Sequence, residues 1–435
     1  MKYILLIFFT TAGASATTPV LDLREVIQIA RENNPKILAL REKLNQYDSQ
    51  QGLAKSNLYP SLSLNLGGSY QKDAVYTGSP KFGGDPYNIY TSDLKLNQTL
   101  YSKGAFSAVR QMQYDQKAQK VNLEIEERNL TQNIIEAFFR FILNQQSLEN
   151  LLKSQDIIQK ALATSNKRYQ MGRGQLLDIL QVKTQLALIQ PQVEQAKGQL
   201  VIAGQQLIDY MGQKEHRDFK LKGRLKSLIL KEVQKNIDHQ NFRLPEYELN
   251  QLLLTQLDYE RDVILGKNYP TIKLIGDYFY NNYKKSDLFS DYSNSWAVQV
   301  QLSIPLFSGF SSFQERSIIS SRDAQLRINR NELENSLTSK QVTSLRNLET
   351  SEASLVFSES AVKLADEAQN EGARLYKLSQ IDFLQFLTVQ QAALQSKSSL
   401  DQLKFQSILA YSNYFVATGQ SLSLLVDLLT KEVKL

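Results

Sequence analysis

Residues 168–180 read Arg-Tyr-Gln-Met-Gly-Arg-Gly-Gln-Leu-Leu-Asp-Ile-Leu, and a related stretch at residues 374–387 reads Arg-Leu-Tyr-Lys-Leu-Ser-Gln-Ile-Asp-Phe-Leu-Gln-Phe-Leu. Tyr169 in the first stretch aligns with Tyr376 in the second, 207 residues further along the chain. Long segments with helical periodicity flank both stretches. We interpret the two stretches as copies of one turn between helices, which makes the chain an internal duplication.

Other marks recur in the same order on either side of these turns. Leu58-Tyr59-Pro60 is echoed by Asn268-Tyr269-Pro270, and Leu100-Tyr101-Ser102 by Leu306-Phe307-Ser308. Gly212 aligns with Gly419 at the offset of 207 residues. We therefore divide the chain into a first repeat, a mixed middle segment, a second repeat and a tail. Their predicted bounds are residues 17–212, 213–243, 244–419 and 420–435.

Each Tyr-Pro mark is followed by residues that alternate between apolar and polar types. The alternation is regular from Trp296 to Leu306, where Val, Leu and Ile occupy every second position. A period of two is typical of a strand with one apolar and one polar face. The predicted strands cover about residues 60–71, 90–101, 270–280 and 296–307. A soluble β-sandwich is the alternative interpretation of this pattern.

The remaining segments are helical in pattern. Long helices are predicted from Gly104 to Arg168 and from Phe313 to Arg374, and each is followed by a turn, at about residues 170–176 and 376–382, and a second helix. Apolar residues from Leu186 to Leu207 recur in steps of three and four, which is typical of coiled-coil packing. Shorter helices are predicted for residues 23–57 and 244–267. A bend is predicted at Pro191, because proline removes a helical hydrogen bond.

Composition adds three expectations. Residues 1–16 resemble a signal peptide, with Lys2, a short apolar run and Ala14-Ser15-Ala16. The sequence contains no Cys, so it offers no disulfide, thiolate or lipidated cysteine. The net charge of +6 arises from basic residues interspersed with acidic ones, which favours a solvated helical surface over nucleic-acid binding.

The sequence gives no motif for an enzyme or a cofactor. His216 and His239 are the only histidines, and without Cys they do not suggest a dedicated zinc site. No phosphate-binding loop or paired-glycine motif is present. We expect a protein that is not an enzyme and that uses no cofactor.

The number of strands also bears on the oligomeric state. Strands of about ten residues are long enough to cross a bilayer, but an open sheet edge cannot face lipid. Four strands are too few to close a barrel, whereas three chains supply 12. If the strands lie in a membrane, the protein is predicted to be a homotrimer.

Taken with the duplicated turns and the strand that ends Ile304-Pro305-Leu306-Phe307-Ser308-Gly309, these features resemble the TolC family of outer-membrane efflux proteins. The resemblance covers nearly the whole chain after the signal. It implies a mixed α+β membrane protein in which a trimeric 12-stranded β-barrel continues into a periplasmic tube of coiled-coil helices. It also implies a location in the outer membrane of a Gram-negative-type cell.

The function implied is a passive exit duct of a tripartite efflux or secretion system. Its partners are two further copies of the chain, outer-membrane lipid, a periplasmic adaptor and, through the adaptor, an inner-membrane pump. The alternatives are a periplasmic adaptor or another structural coiled-coil protein.

The resemblance also assigns sites within the two turns. The expected adaptor-docking residues are Met171, Gly172, Arg173, Leu378, Ser379 and Gln380. The candidates for a constriction at the entrance are Asp178, Asp382, Gln385 and Thr388. Ser379 stands where the family usually has Gly, so the second turn is expected to differ in shape from the first. Capping of helix N-termini is the alternative role for Asp178 and Asp382.

Overall fold

The structure is a computed structural model that describes residues 20–72, 86–213, 220–227, 244–289 and 294–430. The predicted signal peptide, His216 and His239 lie outside the described residues, as does most of the middle segment. The protein is mostly helical and contains an antiparallel sheet. Residues 1–38, 126–242 and 337–435 belong to one unit, here called the helical unit, and residues 39–125 and 243–336 to a second, the sheet unit.

Eight α-helices and six strands are described. The helices are α1 (Leu23–Asn33), α2 (Pro35–Ser56), α3 (Lys103–Gln170), α4 (Leu176–Met211), α5 (Pro245–Gly266), α6 (Ser311–Lys377), α7 (Phe383–Ala417) and α8 (Leu422–Thr430). The strands are β1 (Val20–Leu21), β2 (Ser61–Gln71), β3 (Tyr87–Ser102), β4 (Lys220–Leu221), β5 (Thr271–Asn282) and β6 (Asn294–Ser303). Among the described residues, no α-helix combines the length and the apolar character needed to cross a membrane.

The sheet unit contains an antiparallel sheet with the order β2-β3-β5-β6. β6 ends at Ser303, four residues before the predicted end at 307. Pro305 accounts for the difference, because it has no N–H to donate to a neighbouring strand. Helices of the same unit are joined by ion pairs, such as Arg322 Nη1 to Glu260 Oε1 at 2.5 Å, and by stacking of Tyr114 on Tyr259.

The helical unit has its core between α3, α4, α6 and α7. Apolar residues of the predicted coiled-coil seam are buried there, which confirms the seam as the inner face of α4; they are Ile189, Val193, Ala196, Ala203 and Leu207. α4 runs through Pro191 from Leu176 to Met211, and the bend stays a prediction. In the predicted tail, α8 buries Leu425 and is joined to α1 by an Arg24–Asp427 ion pair of 2.8 Å.

The single helix predicted for residues 23–57 is wrong. The structure has two helices, α1 and α2, separated at Asn34, whose backbone is extended. Pro35 is the cause, because the residue before a proline is pushed away from the helical region while proline itself is well suited to the first turn of a new helix.

Candidate functional site

Two parts of the molecule carry the residues that bear on function: the faces of the sheet and the two turns of the helical unit. The register of the sheet sorts its side chains into two kinds of row. One row joins Leu62, Leu96, Gly276 and Val298, and the next joins Leu64, Leu94, Tyr278 and Trp296. Successive side chains of a strand point to opposite faces, so these rows share one face.

The opposite face is polar over most of its area. One row joins Ser63, Lys95, Asp277 and Ala297, and in it Lys95 Nζ lies 3.7 Å from an Asp277 carboxylate oxygen. In the next row the Asn65 amide donates to Asp93 at 3.4 Å. The sheet therefore has an apolar face and a polar face.

The apolar face is exposed on the edge strands of the sheet. Leu64 on β2 and Val298 on β6 are 62% and 67% exposed, and Trp296 is 74% exposed. Water-exposed apolar patches of this kind mark contact with lipid or with another protein surface. The edge strands also leave backbone N–H and C=O groups available for pairing with a further strand.

Aromatic residues gather where β3, β5 and β6 meet the loops at one end of the sheet. Tyr87 lies edge-on to Tyr283 with ring centroids 5.7 Å apart, and Tyr280 contacts Tyr278 and Phe289 in the same way. Tyrosine combines an apolar ring with a polar hydroxyl, which suits the boundary between an apolar layer and water.

In the helical unit, the turn between α3 and α4 contains Met171, Gly172 and Arg173, all exposed. Gly172 has a φ of +70°, in the left-handed region. Its N–H donates to Tyr169 O, and the N–H of Arg173 donates to Arg168 O, which closes the end of α3. This is the Schellman arrangement, in which a left-handed residue satisfies carbonyls at the end of a helix.

The turn between α6 and α7 contains Leu378, Ser379 and Gln380, also exposed. Ser379 has a φ of +63°, and its N–H donates to Tyr376 O while the N–H of Gln380 donates to Leu375 O. These are the bonds of the first turn, displaced by 207 residues. The expectation that the second turn differs in its backbone is wrong, because Ser379 adopts the left-handed conformation at a strain cost of roughly 1–2 kcal/mol.

Replacing Ser379 with Gly is therefore expected to stabilise the second turn by about 0.5–1 kcal/mol, the strain relieved less the entropy of a freer unfolded chain. Hydrogen–deuterium exchange of the Ser379 and Gln380 amides should slow by about two- to fivefold, since RT is ~0.6 kcal/mol. Gly172→Ser is the matched reverse change and should accelerate exchange in the first turn. Unchanged exchange in both variants would contradict the strain at Ser379.

The candidate constriction residues lie at the starts of α4 and α7. Asp382 is the N-cap of α7: its carboxylate accepts from the Gln385 N–H at 2.7 Å, and the Gln385 side chain accepts from the Asp382 N–H at 3.4 Å. This capping box confirms the capping role of Asp382. Thr388 donates its hydroxyl to Leu384 O.

The same role is wrong for Asp178. It lies in the first turn of α4, but the N-cap position belongs to Gln175, whose side chain makes no capping hydrogen bond. Asp178 is the third residue of α4, so its charge still lies near the positive end of the helix dipole.

Behind these turns lies an aromatic cluster that the sequence analysis did not identify. Tyr376 is 4% exposed and stacks on Phe386 at 4.8 Å between centroids, with Phe383 at 6.2 Å. Its hydroxyl is hydrogen-bonded to the buried Ser165 Oγ at 2.7 Å. The Arg168 guanidinium lies over the Tyr376 ring, 4.4 Å from its centroid. The cluster fastens the end of α3 to the turn between α6 and α7.

Two of the three corresponding residues of the first turn are exposed instead. Tyr169 and Leu176 are 48% and 54% exposed, whereas Ile179, which aligns with Phe386, is buried. The neighbouring Leu180 is 52% exposed. The aligned pairs Tyr169/Tyr376 and Leu176/Phe383 thus have opposite burial. Phe383 and Phe386, three residues apart, lie on one face of α7, and the turn at Ser379 brings them against Tyr376 at the end of α6.

Within the described residues, no group of three or more His, Asp or Glu side chains is arranged to hold a metal ion. Burial raises the pKa of Asp401 above its ordinary value, while Lys404 and the hydrogen bond from Asn150 oppose the shift. Burial also raises the pKa of Asp115, with a smaller contribution from the nearby Glu260. Neither carboxylate belongs to the two turns.

The fold is that of bacterial outer membrane channels. The CmeC outer membrane channel of Campylobacter jejuni superposes with a TM-score of 0.81 at 16% identity, over 94% of this chain and 89% of CmeC. The outer membrane protein VceC of Vibrio cholerae gives a TM-score of 0.79 at 15% identity, over 92% of this chain and 96% of VceC.

The model of the outer membrane efflux protein family matches residues 26–213 of this chain. Among curated proteins, protein CyaE of Bordetella pertussis is 23% identical over 296 residues. That match covers 67% of this chain and spans 61% of the length of CyaE.

Proposed function

We propose that the protein is the outer-membrane exit duct of a tripartite efflux or secretion system, a passive trimeric channel that uses no cofactor. The observation that carries this proposal is the sheet with one apolar and one polar face and with open edges at β2 and β6. A membrane-spanning sheet must pair every backbone group, so an open sheet in lipid needs neighbours. Two further copies of the chain would supply them and give a closed barrel of 12 strands.

The side-chain rows indicate which face of the sheet would point outward in such a barrel. The face with Leu64 and Val298 would contact lipid, and the face with Lys95 and Asp277 would line the water-filled interior. The tyrosines at the end of the sheet would lie at the membrane boundary. A soluble sandwich would instead bury its apolar face against a second sheet, and the described residues contain no such sheet.

The long helices support the periplasmic part of the proposal. The first turn leaves Tyr169, Leu176 and Leu180 exposed, which fits contact with a neighbouring copy. The exposed residues Met171–Arg173 and Leu378–Gln380 would receive the adaptor, and through it the inner-membrane pump. The two matching turns also support the proposed internal duplication.

The experiment that tests the duct is single-channel recording of the purified protein in a planar bilayer. We expect discrete conductance steps from material that migrates as a trimer in unheated detergent gels. A monodisperse monomer that stays soluble without detergent would reject the duct and favour a structural coiled-coil protein.

The same recordings test Asp178, Asp382, Gln385 and Thr388 as the entrance constriction. Asp382→Asn removes the charge but keeps the capping role, because Asn caps as well as Asp. If three Asp382 carboxylates face the pore, the ratio of K⁺ to Cl⁻ permeability should fall by about two- to fivefold, the effect of roughly 0.5–1 kcal/mol per ion. Unchanged selectivity in Asp382→Asn would leave Asp382 as a cap alone, and Asp178→Asn is the parallel test in the first turn.

A further inference from the structure

A basic segment in the helical unit has no part in the proposed duct. Residues 220–226 read Lys-Leu-Lys-Gly-Arg-Leu-Lys, so a cation occupies every second position. The segment begins with β4, which pairs in parallel with β1, and the Lys222 N–H donates to Leu21 O at 2.9 Å. Leu225, between two of the cations, is buried.

The segment borders a cavity of about 700 Å³, within the range of small-molecule sites. Three of its cations, Lys222, Arg224 and Lys226, line the cavity, whereas Lys220 does not. Besides Gly223, the remaining lining residues are Asp22, which caps α1, and residues of α1, α3 and α8, namely Leu23, Phe138, Phe139, Leu429 and Thr430.

The floor of the cavity is well packed. Phe138 and Phe139 are almost fully buried. The backbone at Gly223 lies so close to α3 that an added Cβ would be 2.6 Å from Ile142 Cδ1 and 3.1 Å from Phe138 Cε1. This contact holds the segment against α3, so Lys222 and Arg224 are presented from an anchored backbone.

The cavity has an excess of positive charge. Asp22 is its only acidic lining residue among those described, and its carboxylate already accepts the Glu25 N–H at 2.8 Å as the cap of α1. In the described parts of the chain, no ion pair joins Lys222 or Arg224 to a carboxylate. Lys222 and Arg224 therefore raise the local positive potential, and a guanidinium offers paired donors to carboxylate or phosphate oxygens.

We propose that this cavity binds a small anion that carries two or more carboxylate or phosphate groups, held by Lys222 and Arg224 with Lys226 beside them. The proposal goes beyond the exit duct and does not depend on it. Carboxylate and phosphate groups would accept hydrogen bonds from the same donors, and the test distinguishes the two kinds of ligand.

The test is isothermal titration calorimetry on the full-length protein in a nonionic detergent at fixed salt, with citrate as the carboxylate probe and pyrophosphate as the phosphate probe. We expect saturable binding of at least one probe with one site per chain. In Lys222→Gln/Arg224→Gln, affinity should fall about tenfold or more, because the anion loses two cationic donors and their charge-assisted hydrogen bonds.

Lys220→Gln is the matched control, since it removes a cation from the same segment outside the cavity and should change affinity less than twofold. Lys222→Arg keeps the charge and should keep binding, which separates a lost ligand contact from a folding defect. Binding of citrate alone supports a carboxylate ligand, and binding of pyrophosphate alone a phosphate ligand. Lack of saturation with both probes, or an equal loss in Lys220→Gln and the double variant, would overturn the site.

Discussion

Val298→Lys is expected to abolish recovery of the proposed trimer from the membrane, whereas Gln299→Lys, one residue along the same strand, should leave that trimer intact. Val298 lies near the middle of β6 in the row that contains Leu62, Leu96 and Gly276. Gln299 belongs to the opposite face, in the row with Ile275, Asn97 and Ser61. The two substitutions therefore place the same charge on opposite faces of one sheet.

The size of the effect follows from the cost of placing lysine against lipid. A lysine on the lipid face at mid-bilayer costs about 2–4 kcal/mol, and a trimer repeats that cost in three chains, for roughly 6–12 kcal/mol in all. A lysine in a water-filled interior keeps its hydration and costs little. Both native side chains are exposed in a single chain, so packing within the chain does not distinguish them.

The measurement is the amount of heat-modifiable trimer extracted from outer-membrane fractions, read on unheated and heated detergent gels. Whole-cell expression level is the control for synthesis. Equal recovery of the two variants would contradict the assignment of faces, and loss of trimer in Gln299→Lys alone would reverse it.

The strands could be predicted from the sequence because alternation is a local property of the chain. Each apolar residue from Trp296 to Leu302 fixes the face of its neighbours two positions away, without knowledge of any partner strand. The register between strands needed the structure, since nothing local states that Val298 faces Gly276 and not another residue of β5. The end of α1 at Asn34 could have been predicted from the Asn34-Pro35 pair. The helical periodicity on both sides of that pair favoured a single helix instead.

The turns show the limit of reasoning from residue type. Serine is disfavoured where glycine is usual, yet the hydrogen bonds around Ser379 outweigh a strain of about 1–2 kcal/mol. The aromatic cluster could not be assembled from sequence, because Ser165 and Tyr376 are 211 residues apart. The duplication itself is misleading here, since it predicts equal roles for Tyr169 and Tyr376, and the structure exposes one and buries the other.

That difference in burial yields the second large prediction. Tyr376→Ala is expected to lower the stability of the helical unit by about 3–5 kcal/mol, the usual cost of deleting a buried aromatic side chain. The loss removes the stacking on Phe386, the hydrogen bond to Ser165 and the surface on which the Arg168 guanidinium rests. Arg168 Nη2 is buried and makes no hydrogen bond within the described residues, so the ring is its main support there.

Tyr169→Ala is the matched control, because Tyr169 occupies the aligned position of the first turn and is 48% exposed. Its substitution should change stability by about 0.5 kcal/mol or less, as is usual for surface positions. Thermal unfolding of the two variants, followed by circular dichroism in the same detergent, measures the difference. A similar fall in Tm for both would contradict the unequal roles of the two turns.

Tyr376→Phe separates the hydroxyl from the ring. It keeps the stacking but leaves the buried Ser165 hydroxyl without its partner, at a cost of about 1–3 kcal/mol. If the contact between α3 and the second turn holds the proposed entrance closed, losing this hydrogen bond destabilises the closed state and not the open state. Channel opening should then become roughly 5- to 150-fold more frequent in bilayer recordings. If Tyr376→Phe lowers the free energy of unfolding but leaves the frequency of channel opening unchanged, the Ser165–Tyr376 hydrogen bond stabilises the packing of the helices and has no part in gating.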